Sequence, residues 1–217
     1  MQYYSEHGQD KFLDEEIFKK AENGFFVEVG AADGIGMSNT YFFEKYRHWS
    51  GLCIEPRISQ FKLLKQNRSC ILEHVCISDS GEEVEEFTEY TGKWLPPLSG
   101  LQRNFYPQHL EKVKEGLGQP ENYHKEHRYS VKARRLSDIL PEYGISKVDY
   151  CSIDTEGSEL ETLTTIDFER IHIKVISVEN NYGNSLIKKF LHERKFELVK
   201  ELGIPGVAFD EIYVNLQ

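Results

Sequence analysis

The stretch Phe25-Phe-Val-Glu-Val-Gly-Ala-Ala-Asp-Gly34 decides the fold. An apolar run of strand character breaks on a glycine. A second acidic signal, Cys53-Ile-Glu-Pro56, follows one helix and one strand later. A doubly wound α/β sheet sets a glycine turn after its first strand and a carboxylate after its second, where the acid accepts the ribose hydroxyls of an adenosine-containing ligand. Gly30 and Glu55 stand at that spacing. The turn is not the dinucleotide form, because Ala32 occupies the position where a second glycine would let the backbone approach a pyrophosphate.

Glu28 inside the strand and Asp33 in the turn argue further against a pyrophosphate, and so against a dehydrogenase. Carboxylates suit a cofactor with a cationic end, such as the amino group and sulfonium of S-adenosylmethionine.

Periodicity outward from this stretch predicts strands alternating with helices. Helices are expected over residues 9–21, 39–46, 58–66, 136–143, 157–163 and 185–194, and strands over 25–29, 51–55, 70–77, 84–90, 129–134, 147–153 and 172–178. Residues 196–202 and 207–215 read as a final antiparallel pair. Asn39 is expected to cap its helix, and Ser137 or Asp138 the one at 136. The alternation implies a mainly parallel sheet covered on both faces. Residues 91–128 break the pattern with Pro96, Pro97, Pro107 and Pro120 and with Gly92, Gly100, Gly116 and Gly118. A segment of this kind reads as an acceptor-binding insertion, with a helix inside it over 105–116.

The chain has 217 residues, of which 39% are hydrophobic and 29% charged, enough for one good core. No apolar run approaches the roughly 20 residues of a membrane span. The first eight residues are neither basic nor apolar, so no secretory signal is expected and the cytoplasm is the default location. The four cysteines form no CxxC pair, and Cys53, Cys76 and Cys151 lie in apolar runs, so a zinc site or disulfide framework is not expected. A net charge of -10 disfavours nucleic acid as a partner. Residues 92–135 carry nine Lys/Arg against four Asp/Glu, a local net of +5, and so are expected to meet an anionic acceptor. The sequence leaves self-association open.

Ligands of open α/β sheets bind outside the carboxyl ends of the strands. The residues expected there are Gly30, Asp33, Glu55, Ser78, Asp154, Glu156, Glu159, Glu179 and Asn180. Asp154, placed before its turn, is expected to face the cofactor's amino group or a substrate hydroxyl. Glu159 reads mainly as a first-turn carboxylate favoured by the helix dipole. Asp154, Glu179 and Asn180 also form an oxygen set that a hard divalent ion, Mg2+ or Mn2+, would accept, and such an ion would help deprotonate a hydroxyl. His48, His109, His124 and His127 are the candidate bases, with His109 taken as a substrate contact.

Six pieces in order resemble the FkbM family of S-adenosylmethionine-dependent methyltransferases: Gly8-Gln-Asp10, Phe26 to Gly34, Ser38-Asn-Thr40, Gly51 to Pro56, Asp149-Tyr-Cys-Ser-Ile-Asp-Thr-Glu-Gly-Ser-Glu159 and Val178-Glu-Asn180. The resemblance implies a class I methyltransferase fold, a Rossmann-like three-layer sandwich with a seven-stranded sheet whose last strand is antiparallel. It also implies O-methylation of a sugar hydroxyl, nucleotide-linked or in a surface glycan, or of a natural product or lipid headgroup. On that likeness Glu28, Gly30, Asp33 and Glu55 fall on the cofactor, and Asp154 and Glu156 on the reaction centre. Gln9, Asp10, Asn39, Ser78 and Asp154 are also expected at the cofactor, Glu179 among the catalytic acids, and Asn180 with His109 at the substrate. A cofactor-fold binding module without catalysis is the alternative outside enzymology.

Overall fold

The computed structural model describes residues 1–91, 98–117, 125–204 and 208–217. Phe25–Val29 forms β1, with Phe26, Val27 and Val29 all at 2% exposure or less. A strand buried on both faces belongs at the centre of a covered sheet. β1 pairs in parallel with β2 (Ser50–Ile54) on one side and β7 (Lys147–Ile153) on the other. β3 (Ile71–Glu73) and β8 (His172–Glu179) extend the parallel set outward. β10 (Ala208–Asn215) then runs antiparallel between β8 and β9 (Phe196–Ile204). The seven-strand order is β3-β2-β1-β7-β8-β10-β9. Strand order reverses between β1 and β7, and a crevice opens at such a switch point.

Side chains alternate across β1, so the sheet has two cores. Val27 and Val29 face Leu136, Ile139, Leu163, Ile187 and Leu191. These come from α5 (Leu136–Glu142), α6 (Glu159–Thr164) and α7 (Ser185–Glu193). Phe26 faces Leu13, Phe42, Phe43 and Leu64. These come from the N-terminal helix, from α2 (Tyr41–Arg47) and from α3 (Ile58–Asn67). Helices on both faces of the sheet make the expected three layers.

Several expected elements take different bounds. The N-terminal helix is α1 (Gln9–Phe12) continued by a π turn, Leu13–Ile17, and stops short of residue 21 because Lys19 and Lys20 turn into the left-handed region. The strand expected over 70–77 is two strands. After β3 the chain bends where the His74 ring stacks on Phe61 at 4.7 Å, and β4 (Cys76–Ile77) joins a separate three-stranded sheet of order β4-β6-β5. β5 (Val84–Thr91) pairs along its length with β6 (Lys125–Arg134), so β6 starts before the expected residue 129. Between them in sequence lies α4 (Pro107–Leu117), and Cys76, Ile77 and Phe87 of the small sheet line the main crevice.

The expected caps also move. Ser38 Oγ, not Asn39, accepts from the amides of Thr40 and Tyr41 at the start of α2, at 3.2 and 3.0 Å. Arg135 occupies the cap position of α5 without a side-chain bond. Among the described residues no helix is long and apolar enough to cross a membrane.

Candidate active site

The crevice at the β1–β7 switch holds a cleft of about 900 Å³, counting its open mouth. Its floor is the turn after β1. Gly30 has φ 88°, and a Cβ built there would stand 1.7 Å from the Asp154 carbonyl oxygen. The glycine is therefore required by the neighbouring strand exit, where the Asp154 amide donates to the Val29 carbonyl at 3.0 Å. Ala32, at φ 49°, turns its amide onto Glu55 Oε2 at 2.7 Å. The loop thus closes on the acid at the end of β2.

Glu55 is 1% exposed and fully engaged. Its Oε1 accepts from the Arg57 amide at 2.8 Å and Arg57 Nε at 2.9 Å, and its Oε2 also takes Arg57 Nη2 at 3.3 Å. Glu28 is engaged too. It accepts from the Ser38 and Thr40 hydroxyls, from the Asn39 amide at 2.8 Å and from Arg68 Nη1 at 3.1 Å. Arg68, with a fully buried side chain, also reaches Glu44 at 2.6 Å and Thr40 at 2.9 Å. Asn39 donates from Nδ2 to Ser152 at 2.9 Å, while its Oδ1 is buried without a partner. Asn39 and Ser152 both line the cleft.

The opposite wall is acidic. After β7, the Glu159 carboxylate accepts from the amides of Thr155 and Gly157 at 3.1 and 2.8 Å and from the Thr155 hydroxyl, which folds residues 154–157 into a tight loop. In that loop Glu156 has φ 56°, a left-handed conformation unusual for a residue with a side chain and frequent at functional sites. Carboxylate oxygens of Asp154, Glu156 and Glu179 lie within 4.8 Å of one another. Burial, then the charge of Glu159, lifts the Glu156 carboxyl to about 8. Burial and the surrounding carboxylates push Asp154 and Glu179 well above the ordinary range. Asp210, in register with Glu179 across β10 and β8, is lifted by burial to about 7.

Such a cluster keeps protons at neutral pH, accepts one from a substrate, or holds a cation. Asp154, Glu156 and Glu179 are the acids grouped closely enough to meet a hard divalent ion here. Asn180 Oδ1 accepts from the Asn184 amide at 2.7 Å, which closes the turn before α7.

The Methyltransferase FkbM domain profile matches residues 28–204. This chain belongs to the FkbM methyltransferase family. It is 25% identical over 183 residues to Methyltransferase 1 of Beauveria bassiana, covering 80% of this chain and 72% of that protein. To Methyltransferase sdnD of Sordaria araneosa it is 24% identical over 208 residues, covering 86% and 78%. Among solved structures, the METTL16 methyltransferase domain matches with a TM-score of 0.50 at 12% identity, over 96% of this chain. The chain spans 66% of the length of that domain, and the likeness speaks for the fold alone.

The cleft of this FkbM-family chain fits S-adenosylmethionine, the methyl donor of such enzymes. The orphaned, buried Asn39 Oδ1 offers a free acceptor to the cleft, and Glu55 lines it at the end of β2. Glu28 shapes the pocket from beneath, with its oxygens given to Arg68 and residues 38–40. Asp33 closes the glycine turn by accepting from the amides of Ile35 and Gly36 at 2.9 and 2.8 Å.

Other expected residues lie elsewhere. Asp10 is fully buried and ties the N-terminal loop through the Tyr4 amide and the Ser5 hydroxyl, both at 2.6 Å. Gln9 reaches Asp210 Oδ2 at 2.7 Å and so backs the acid cluster. Ser78 leaves the small sheet, not the main one, and bonds Glu85 and Glu161 at 2.8 and 3.1 Å outside the cleft. His109 is fully buried on Phe105, with Nε2 at the Leu98 carbonyl (3.2 Å) and Nδ1 3.1 Å from the Tyr182 hydroxyl and 3.9 Å from Glu156. His48 and His127 are exposed away from this site, and His124 lies outside the described residues.

Within the positive segment, Arg103 pairs with Glu85 and Glu161, Arg134 with Glu142, and Arg135 with Asp79. These four acids lie outside residues 92–135, while Lys114, Arg128 and Lys132 of the segment are exposed. Arg68, Arg57 and Asp210 are the residues that sequence reasoning missed. Asp210 was reachable by laying the final hairpin in register beside residues 172–178, whereas nothing local marks Arg68.

Proposed function

We propose that this chain is an O-methyltransferase of a sugar hydroxyl, nucleotide-linked or in a surface glycan, with Glu156 as the general base. The observation that carries the reading is Glu156 itself: a left-handed residue, held into the cleft by the Glu159 loop, with its carboxyl near 8. A base with a pKa near the working pH combines a usable deprotonated fraction with enough basicity to take a hydroxyl proton.

S-adenosylmethionine, when bound, supplies a methyl group activated on a sulfonium. The residues of the chain do the remaining work. Asn39 and Glu55 hold the amino and ribose ends. Asp154 and Glu179, whose carboxyls burial and the neighbouring acids push well up, orient acceptor oxygens, and Glu156 removes the proton. His109 stays neutral because burial lowers its basicity. Its Nε2–H is committed to Leu98, so Nδ1 accepts from Tyr182 and the ring braces the loop side of Glu156.

The test incubates the chain and cofactor with nucleotide sugars, their free sugars, a lipid headgroup and small phenolic alcohols, and reads a mass gain of one methyl group. Methylation confined to the phenols or the headgroup moves the function to those acceptors. Chelation then separates proton removal by Glu156 alone, which survives it, from removal assisted by a divalent ion, which does not.

A further inference from the structure

Glu55 cannot receive a ribose as it stands. A carboxylate offers about four lone-pair sites. All are taken: by the amides of Ala32 and Arg57 at 2.7 and 2.8 Å, and by Arg57 Nε and Nη2 at 2.9 and 3.3 Å. The two amides belong to the loop and the strand exit and are fixed. The guanidinium is the movable pair of donors, and a ribose diol is also a pair of donors. One must replace the other.

Arg57 then needs a new partner. Its side chain is 11% exposed, and among the described residues lining the cleft it is the one cationic side chain. Glu156, Glu89 and Asp154 are the other acids that interact with it electrostatically. Glu89 is already engaged by the Ser59 hydroxyl and by Tyr129 at 3.0 Å. Glu156 lies 3.9 Å from His109. A guanidinium released into this cleft, with its planar fork of donors, is a ready oxyanion site.

We propose that Arg57 is the anion-binding residue of the acceptor site, and that a ribose taking its place on Glu55 delivers it there. The inference rests on the methyltransferase reading above. It assigns the negative end of the acceptor, a phosphoryl or carboxyl group, to Arg57 and not to the segment 92–135. It also couples the two sites. An anion that stabilises the displaced guanidinium tightens cofactor binding, and the cofactor tightens anion binding by the same factor.

The experiment is calorimetric titration of S-adenosylhomocysteine into the wild-type chain, Arg57→Met and Arg57→Lys, each shown to be folded by its thermal transition. Titrations run at constant ionic strength in chloride, with inorganic phosphate, and with acetate. In chloride, Arg57→Met is expected to bind the nucleoside about tenfold more tightly than wild type, because no ion pair must break. Phosphate or acetate is expected to tighten wild-type binding about threefold and to leave Arg57→Met unchanged, and the anion that acts identifies the acceptor group. Arg57→Lys, which keeps the charge but not the fork, should show a smaller gain and retain the anion effect. Weaker binding by a folded Arg57→Met, or wild-type affinity indifferent to both anions, overturns the proposal while leaving the cofactor site intact. Failure of all three chains to bind S-adenosylhomocysteine overturns the cofactor reading as well.

Discussion

Gly30 lies so close to Asp154 that a Cβ on the glycine would stand 1.7 Å from the carbonyl oxygen of the aspartate. The cofactor turn and the acidic loop are therefore one piece of backbone, joined across the β1–β7 pair. Gly30→Ala combines this overlap with a φ of 88°. It is expected to destabilise the fold by about 3 kcal/mol or more, and to abolish S-adenosylhomocysteine binding in whatever fraction stays folded. Normal binding would mean that the turn rearranges freely.

Glu156→Gln removes the proposed base but keeps the shape of the loop. Turnover is expected to fall about 10²- to 10⁴-fold, with nucleoside affinity changed little. In the wild type, kcat/KM should rise with pH through a value near 8, where the Glu156 carboxyl ionises. A flat profile, or activity retained by the glutamine variant, would move the base elsewhere.

Stability should run the other way. Glu156 and Asp210 are lifted from 4.5 and 3.8 to about 8 and about 7, so between those limits the folded state binds more protons than the unfolded chain. Stability then falls as pH rises across that window, and the contribution is complete only below the unfolded values. Thermal melts from pH 4.5 to pH 8.5 should show a declining Tm with a smaller slope in Glu156→Gln.

Arg68 is the counter-ion of a buried acid. Arg68→Ala leaves Glu28 uncompensated beneath the cleft and is expected to cost about 3–5 kcal/mol. Urea unfolding measures this. Pairing it with Glu28→Gln should recover part of the loss, because the stranded charge is then gone.

Asn39→Ala deletes the orphaned acceptor and the Nδ2 bond to Ser152, while the backbone amide of Asn39 keeps its bond to Glu28. Affinity for S-adenosylhomocysteine should drop about tenfold with a small change in Tm, as for one lost bond to a charged group.

The sheet was readable from local pattern. Residues 25–29 and 147–153 are strands to the residue because an apolar run on both faces, bounded by Gly30 and Asp154, admits little else. That Gly30 and Glu55 would meet at the strand ends was readable in the same way, and both line the cleft. Residues 70–77 misled because the bend at His74 depends on Phe61 and Pro56, which the local run does not contain. Ser78 went with them.

By itself the sequence determined a parallel sheet with a glycine turn, an acid after the second strand and more acids after β7 and β8. Backbone periodicity and chain spacing are local properties, and they set those features directly. Tertiary structure alone decided which acids are free to act. Arg68 answers Glu28 from forty positions away, Arg57 folds back onto Glu55, and Asn180 turns to Asn184. Counter-ions are assigned by distance through space in a medium that screens charge poorly, and that distance exists only once the chain has folded.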